Sequence, residues 1–161
     1  MKGFTLFEVL VTAFIFSLII ASIFGLMRVA NESWDAGEGK LALQQGLRQA
    51  IEGMTREARQ SSPGGVTIAP SQSRIDFTIP EVAGSISYYI LNNQLVREHP
   101  TATIRVVASG VNSLIFCCKG GANCLACADS RILEIQMQAT RSAHSRVLTF
   151  ALTEQVRLRN E

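Results

Sequence analysis

Charge is what the opening of this sequence lacks. From Phe4 to Met27 the only charged side chain is Glu8. As a helix rising ~1.5 Å per residue, that stretch is ~36 Å long, enough to cross a hydrocarbon core of ~30 Å. It also lacks what a cleaved secretory signal needs. Such signals have an apolar core of about 7–15 residues followed by a small-x-small cleavage site. This run is longer, and residues 19–34 (IIASIFGLMRVANESW) hold no such site.

Basic blocks are absent as well. Lys and Arg number 15 against 13 Asp and Glu, a formal net charge of +2. That is too small and too scattered for a nucleic-acid surface. No Gly-Lys-Ser/Thr phosphate loop and no Gly-x-Gly-x-x-Gly turn occurs, which removes the common nucleotide-binding readings. His99 and His144 are the only histidines, and neither has a Ser, Cys or carboxylate partner at a motif spacing. His99 precedes Pro100 and reads as a turn. His144 lies in Arg141-Ser-Ala-His-Ser-Arg146, a hairpin tip by pattern, and both histidines read as surface residues. Asp76, Asp129, Glu134 and Glu154 are not spaced as a calcium loop. The sequence therefore asks for no catalytic residue, no cofactor and no metal.

Against these absences Glu8 stands out. A charge in hydrocarbon costs at least ~2.5–3.5 kcal/mol, so an intramembrane carboxylate is a functional hypothesis by default. Lys2 precedes the span and Arg28 follows it. The lysine ahead of the span and a polar domain behind it put the amino terminus on the cytoplasmic side.

Gly3-Phe4-Thr5-Leu6-Phe7-Glu8 resembles the type III signal of type IV pilins and type II secretion pseudopilins. That signal is a short basic leader ending in Gly, then Phe-Thr-Leu-x-Glu at the head of an apolar helix. The resemblance implies that a membrane prepilin peptidase cuts between Gly3 and Phe4 and that the new amine of Phe4 is N-methylated. It also implies that Glu8 is the family's glutamate, the fifth residue of the mature chain. Cleavage before Phe4 creates the one cation available to Glu8 at its own membrane depth, and the helix dipole favours a carboxylate near a helix start. Amine and carboxylate lie about one turn apart and could pair within a chain. In the family the glutamate is thought to meet the amine of a neighbouring subunit. Both pairings stand open.

The helical pattern continues past the span. Apolar residues recur at Ala30, Trp34, Leu41, Leu47, Ile51, Met54 and Ala58, with Arg48, Gln49, Glu52, Arg56 and Glu57 on the other face. From Leu47 on the spacing is that of an amphipathic helix. Ser61-Ser62-Pro63-Gly64-Gly65 ends it. One helix is expected from about residue 5 to residue 60. Gly25, Gly37, Gly39 and Gly46 weaken it at ~1 kcal/mol each, either as points of flexure or for close packing. Trp34 reads as an interface anchor or as part of the domain core, with the core slightly favoured.

From Val66 the pattern changes to period two. Strands are expected at Val66–Ala69, Ser73–Ile79, Ser85–Leu91, Gln94–Glu98, Thr103–Val107, Ser113–Phe116, Arg131–Gln138 and Val147–Leu158. Asn92-Asn93 is a two-residue hairpin signal. Ser109–Asn112 reads as a turn. Short connections imply an antiparallel sheet on which the apolar helix face packs, an α+β fold. The runs Ile86–Glu98 and Val107–Phe116 resemble minor-pilin strands. The ending Thr153–Asn160 is similar to J-type minor pseudopilins and W-type minor pilins, although J-type members are usually longer.

All four cysteines fall in Cys117-Cys118-…-Cys124-…-Cys127, between two expected strands. Four thiolates could hold zinc. The adjacent pair suits a zinc knuckle poorly, and an exported domain meets an oxidising compartment, so two disulfides are the favoured reading. A bridge between neighbours would be strained, which leaves 117–124 with 118–127, or 117–127 with 118–124.

The expected organisation is a leader (1–3), a transmembrane half-helix (4–27), an amphipathic half-helix (28–60) and an antiparallel sheet domain (61–161) with a Cys-rich loop (117–127). The resemblance implies a non-enzymatic minor pilin or pseudopilin held in the inner membrane with its domain outside the cytoplasm. Prepilin peptidase, the assembly platform and other subunits would be its partners, the last through the N-terminal helix. A major pilin, or a bitopic membrane-anchored binding module, is the alternative.

Overall fold

The computed structural model describes residues 5–80, 82–120, 124, 125, 127, 128, 130–143 and 146–159. The chain divides into two compact units, Met1–Glu38 and Gly39–Glu161. Helix α1, Leu6–Gln60, supplies the described structure of the first unit and the helical part of the second.

In the first unit every described residue except the half-buried Ala36 is exposed. This is the opposite of what an apolar sequence does in water. Trp34 is 78% exposed, which corrects its placement in the domain core.

In the second unit α1 buries one face, formed by Gly39, Leu43, Leu47, Ala50, Ile51, Met54, Thr55 and Ala58. The stripe enters through Leu43 rather than Leu41, which is exposed. Residues two apart on a helix point ~200° apart, so only one of these leucines can face the sheet. The helix stops where Ser61, buried, turns the chain. The Ser61 N–H donates to the Ala58 carbonyl at 3.1 Å, and its hydroxyl donates to the Thr78 carbonyl at 3.0 Å. A 3-10 turn at Pro63–Gly65 follows.

Eight strands make two antiparallel sheets, where a single sheet was expected. One sheet has the order β1-β2-β3-β4-β5: Val66–Ile68, Arg74–Thr78, Ser85–Leu91, Gln94–Glu98 and Ile104–Ser109. The other has the order β6-β7-β8: Val111–Lys119, Ile132–Ala143 and Arg146–Arg157. The division falls at Gly110. It has φ +77°, and an added Cβ would lie 2.7 Å from the Thr140 carbonyl oxygen. Only glycine combines that backbone conformation with so close an approach. The Thr140 N–H donates to the Gly110 carbonyl at 2.8 Å. β5 and β6 are thus separated by this single residue, not by a four-residue turn, and the chain crosses from one sheet to the other instead of forming a hairpin. The β3–β4 hairpin follows the sequence more closely. Asn92 and Asn93 have φ 50° and 59°, the left-handed pair a two-residue turn requires.

The core joins both sheets to the helix. Ile75, Phe77, Ile86, Tyr88 and Leu95 come from the first sheet, and Leu114, Phe116, Leu133, Ile135 and Met137 from the second. Phe77 and Tyr88 meet edge to face at 6.1 Å. Burying a Leu or Met side chain fully is worth ~1.5–3 kcal/mol, and Leu47 and Met54 are at most 1% exposed.

Leu47→Ala is expected to lower the unfolding free energy by ~2–5 kcal/mol. Leu41→Ala should change it by no more than about 0.5 kcal/mol. Urea titration of the full chain in detergent measures both, and equal losses would contradict the burial of one face.

Candidate functional site

The amino-terminal motif is built on the start of α1. Thr5 precedes the helix, and its carbonyl accepts from the Glu8 N–H at 3.0 Å and the Val9 N–H at 3.3 Å. The Thr5 hydroxyl also accepts from the Glu8 N–H at 3.4 Å. Thr5 thus satisfies donors that a helix start leaves free. Glu8 sits in the first turn, where the helix dipole favours a negative charge. Its side chain is exposed and forms no salt bridge among the described residues. Gly3 and Phe4, the expected cleavage and methylation positions, lie outside the described residues.

Beyond Glu8 the helix surface is apolar on all sides. Leu6, Phe7, Leu10, Phe14, Phe16, Phe24 and Leu26 are each at least 60% exposed. The hydroxyls within this stretch return to the helix's own backbone. Thr12 donates to the Val9 carbonyl at 2.9 Å, Ser17 to Phe14 at 2.7 Å and Ser22 to Leu18 at 2.8 Å. A hydroxyl satisfied in this way can enter hydrocarbon without an orphaned donor. α1 is long and apolar enough to cross a membrane. The polar burden of the segment falls on Glu8.

Two of the four cysteines are placed by β6, and Cys124 and Cys127 by the connection that follows it. Cys117 and Cys118 are strand residues, so they project to opposite faces of the sheet. Cys118 faces the core and bonds Cys127, each 2% exposed. Cys117, half-buried on the other face, bonds Cys124. This is one of the two pairings left open by the sequence. The Cys118 N–H donates to the Cys124 carbonyl at 2.9 Å. The Ser130 hydroxyl donates to the Lys119 and Ile132 carbonyls, closing the far side. No group of three or more His, Cys, Asp or Glu is placed to hold a metal among the described residues. His99 sits in a turn, its Nδ1 3.2 Å from the Thr101 hydroxyl; His144 lies outside the described residues.

Among the polar clusters that escaped the sequence reading are two built around glutamates. Tyr88 and Arg97 stand opposite each other on β3 and β4. Both reach Glu57 on α1: the Tyr88 hydroxyl donates to Oε2 at 2.8 Å, and Arg97 Nε donates to Oε1 at 2.9 Å. Arg97 Nη2 also lies 2.9 Å from Oε1. Burial pushes the Tyr88 hydroxyl pKa up, and the Glu57 charge adds to the shift. On the second sheet, Glu134 is buried beneath Gln155, Gln136 and Lys119. It accepts from Gln136 and Gln155 at 2.8 Å each and lies 3.2 Å from Lys119 Nζ. These clusters fix side chains to the fold; no reacting partner lies against them among the described residues.

The hydrogen bond from Gln155, then that from Gln136, hold the Glu134 carboxyl below its ordinary pKa, with Lys119 adding to the effect. A lowered folded-state pKa stabilises the fold at pH above the unfolded value of ~4.3, and that contribution is lost as pH falls through the folded value. Glu134→Gln should therefore lower stability at pH 7 and flatten its decline below about pH 4.3. Urea midpoints measured from pH 3 to pH 7 test this, and an unchanged acid limb would refute it.

Residues 1–24 match the prokaryotic N-terminal methylation motif. No curated protein matches the chain. The motif implies cleavage by prepilin peptidase and assembly with other pilin subunits. It opens a long apolar helix, and the second unit is an α+β domain of antiparallel sheets. The chain thus carries at its amino terminus the signature of the type IV pilins and pseudopilins.

Proposed function

We propose that this chain is a minor pilin or pseudopilin, a structural subunit without enzymatic activity that is stored in the inner membrane and then drawn into a filament or its tip. The observation that carries the reading is the methylation motif over residues 1–24, set directly on an apolar helix surface that the described residues leave uncovered. In this reading prepilin peptidase cuts between Gly3 and Phe4, and the amine of Phe4 is methylated. Residues 4–27 then hold the subunit in the bilayer with its domain outside the cytoplasm. The assembly platform next brings the helix among the helices of other subunits.

Glu8 bears on both stages in different ways. In the bilayer its charge sits near the helix start, where the dipole and the interface lower its cost. In a bundle of helices a carboxylate must be paired, and the methylated amine of a neighbour's Phe4 is a cation at the same depth. The charge thus favours one axial register over its slipped alternatives. The minor assignment rests on the likeness of Thr153–Asn160 to minor-subunit endings.

Glu8→Ala separates anchoring from assembly. Removing the charge makes insertion easier, so the variant should stay in the membrane with its domain folded. Incorporation into filaments, or the secretion or pilus output that depends on them, should fall at least about tenfold. Unchanged assembly in this variant would count against the pairing mechanism.

A further inference from the structure

Strand β8 is an outer strand of its sheet. It pairs with β7 from Arg146 to Arg157 without a register shift, and with no other strand among the described residues. Along its twelve residues every second one turns its backbone N–H and C=O to the free side. Proteins ordinarily blunt such edges with proline, lysine, a bulge or a short strand. Residues 146–157 contain no proline, lysine or glycine, and the ladder has no bulge. The central run Val147-Leu-Thr-Phe-Ala-Leu-Thr153 is uncharged and rich in strand-forming residues, the composition that favours strand addition.

The other edges differ. β1 has three residues, and β5 has six with Arg105 among them. On β6, the Phe116 N–H donates to the Gln72 carbonyl and the Cys118 N–H to the Cys124 carbonyl, each at 2.9 Å.

The β8 sequence also complements itself. In antiparallel pairing of two copies centred on Phe150, Leu148 stands opposite Leu152, Thr149 opposite Ala151, Val147 opposite Thr153 and Arg146 opposite Glu154. Each of these pairs occurs twice. Leu148, Phe150 and Leu152 are half-buried, while Val147, Thr149, Ala151 and Thr153 are exposed. The register joins like faces, so the two sheets continue as one six-stranded sheet. A slip of one residue would set the apolar face of one copy beside the exposed face of the other.

We propose that a second copy of this chain docks on β8 by antiparallel strand addition in the register centred on Phe150. Main-chain hydrogen bonds supply the attraction, and the leucine and phenylalanine pairs fix the register. Such a seam buries less surface than a stable soluble dimer. A weak contact of this kind is caught by chemical trapping. The inference rests on the free edge and stands apart from the pairing assigned to Glu8.

The test uses the full chain in detergent micelles, where the copies are free to meet edge to edge. Among the described residues no cysteine is free, so introduced thiols report the contact. A mixture of Thr149→Cys and Ala151→Cys chains should form a disulfide-linked dimer on mild oxidation, and neither population alone should do so. Adding Val147→Lys with Thr153→Lys to both chains sets like charges opposite each other twice, and should cut the linked fraction at least about fivefold. Val147→Lys with Thr153→Glu should restore it, which separates loss of pairing from loss of folding. Three results would each overturn the proposal: no dimer in the mixture, equal linking in the single populations, or no response to the paired lysines.

Discussion

An apolar helix surface with nothing covering it is the constraint on which the rest of this protein depends. In water the large side chains from Leu6 to Met27, most of them at least half exposed, would oppose solubility by about 1–3 kcal/mol apiece. No sequence keeps such a surface unless another solvent receives it. A bilayer does so first, since hydrocarbon needs no complementary shape. A bundle of similar helices can do so later, by van der Waals packing and polar pairing. In the proposed reading the same surface serves storage and assembly, because lipid tails and neighbouring leucines are interchangeable surroundings. Glu8 breaks that equivalence: it needs a partner in a bundle, and near the interface it does not.

The second unit solves its own burial problem, and the ways it does so are local. α1 turns one face, from Gly39 to Ala58, onto both sheets. Glu57 ties that helix to Tyr88 and Arg97, so its rotation is fixed by a charged hydrogen bond as well as by packing. The two disulfides lie on opposite faces of β6, one in the core and one outside it. Cross-links of this kind restrict the unfolded chain and stabilise a small domain whose core is limited.

Elements with a local cause could be read from the sequence. The Asn92-Asn93 hairpin is an example: two residues that tolerate positive φ between alternating strands leave one geometry. Its register also places Tyr88 opposite Arg97 by counting outward from Leu91 and Gln94. The third member, Glu57, could not be found by counting, because its approach depends on how the helix lies on the sheet. Leu41 misled for the same reason. On an apolar scale it equals Leu43, and only the core decides which of the two is inside. The break into two sheets was hidden because its cause is Gly110, whose need for glycine comes from the distant Thr140 carbonyl. Glu8, by contrast, needed no third dimension. A carboxylate in an apolar run is anomalous in any fold, and Gly3 and Phe4 beside it supplied the context.

In the proposed reading the amino terminus is leader, anchor and assembly surface in turn, and assembly depends on the cut that creates the amine of Phe4. Intact-mass and fragment-ion analysis of the chain isolated from its membrane or filament measures that step directly. The account predicts a chain that lacks Met1, Lys2 and Gly3 and carries one methyl group on the Phe4 amine. Met1 retained in the functional, assembled protein would contradict it.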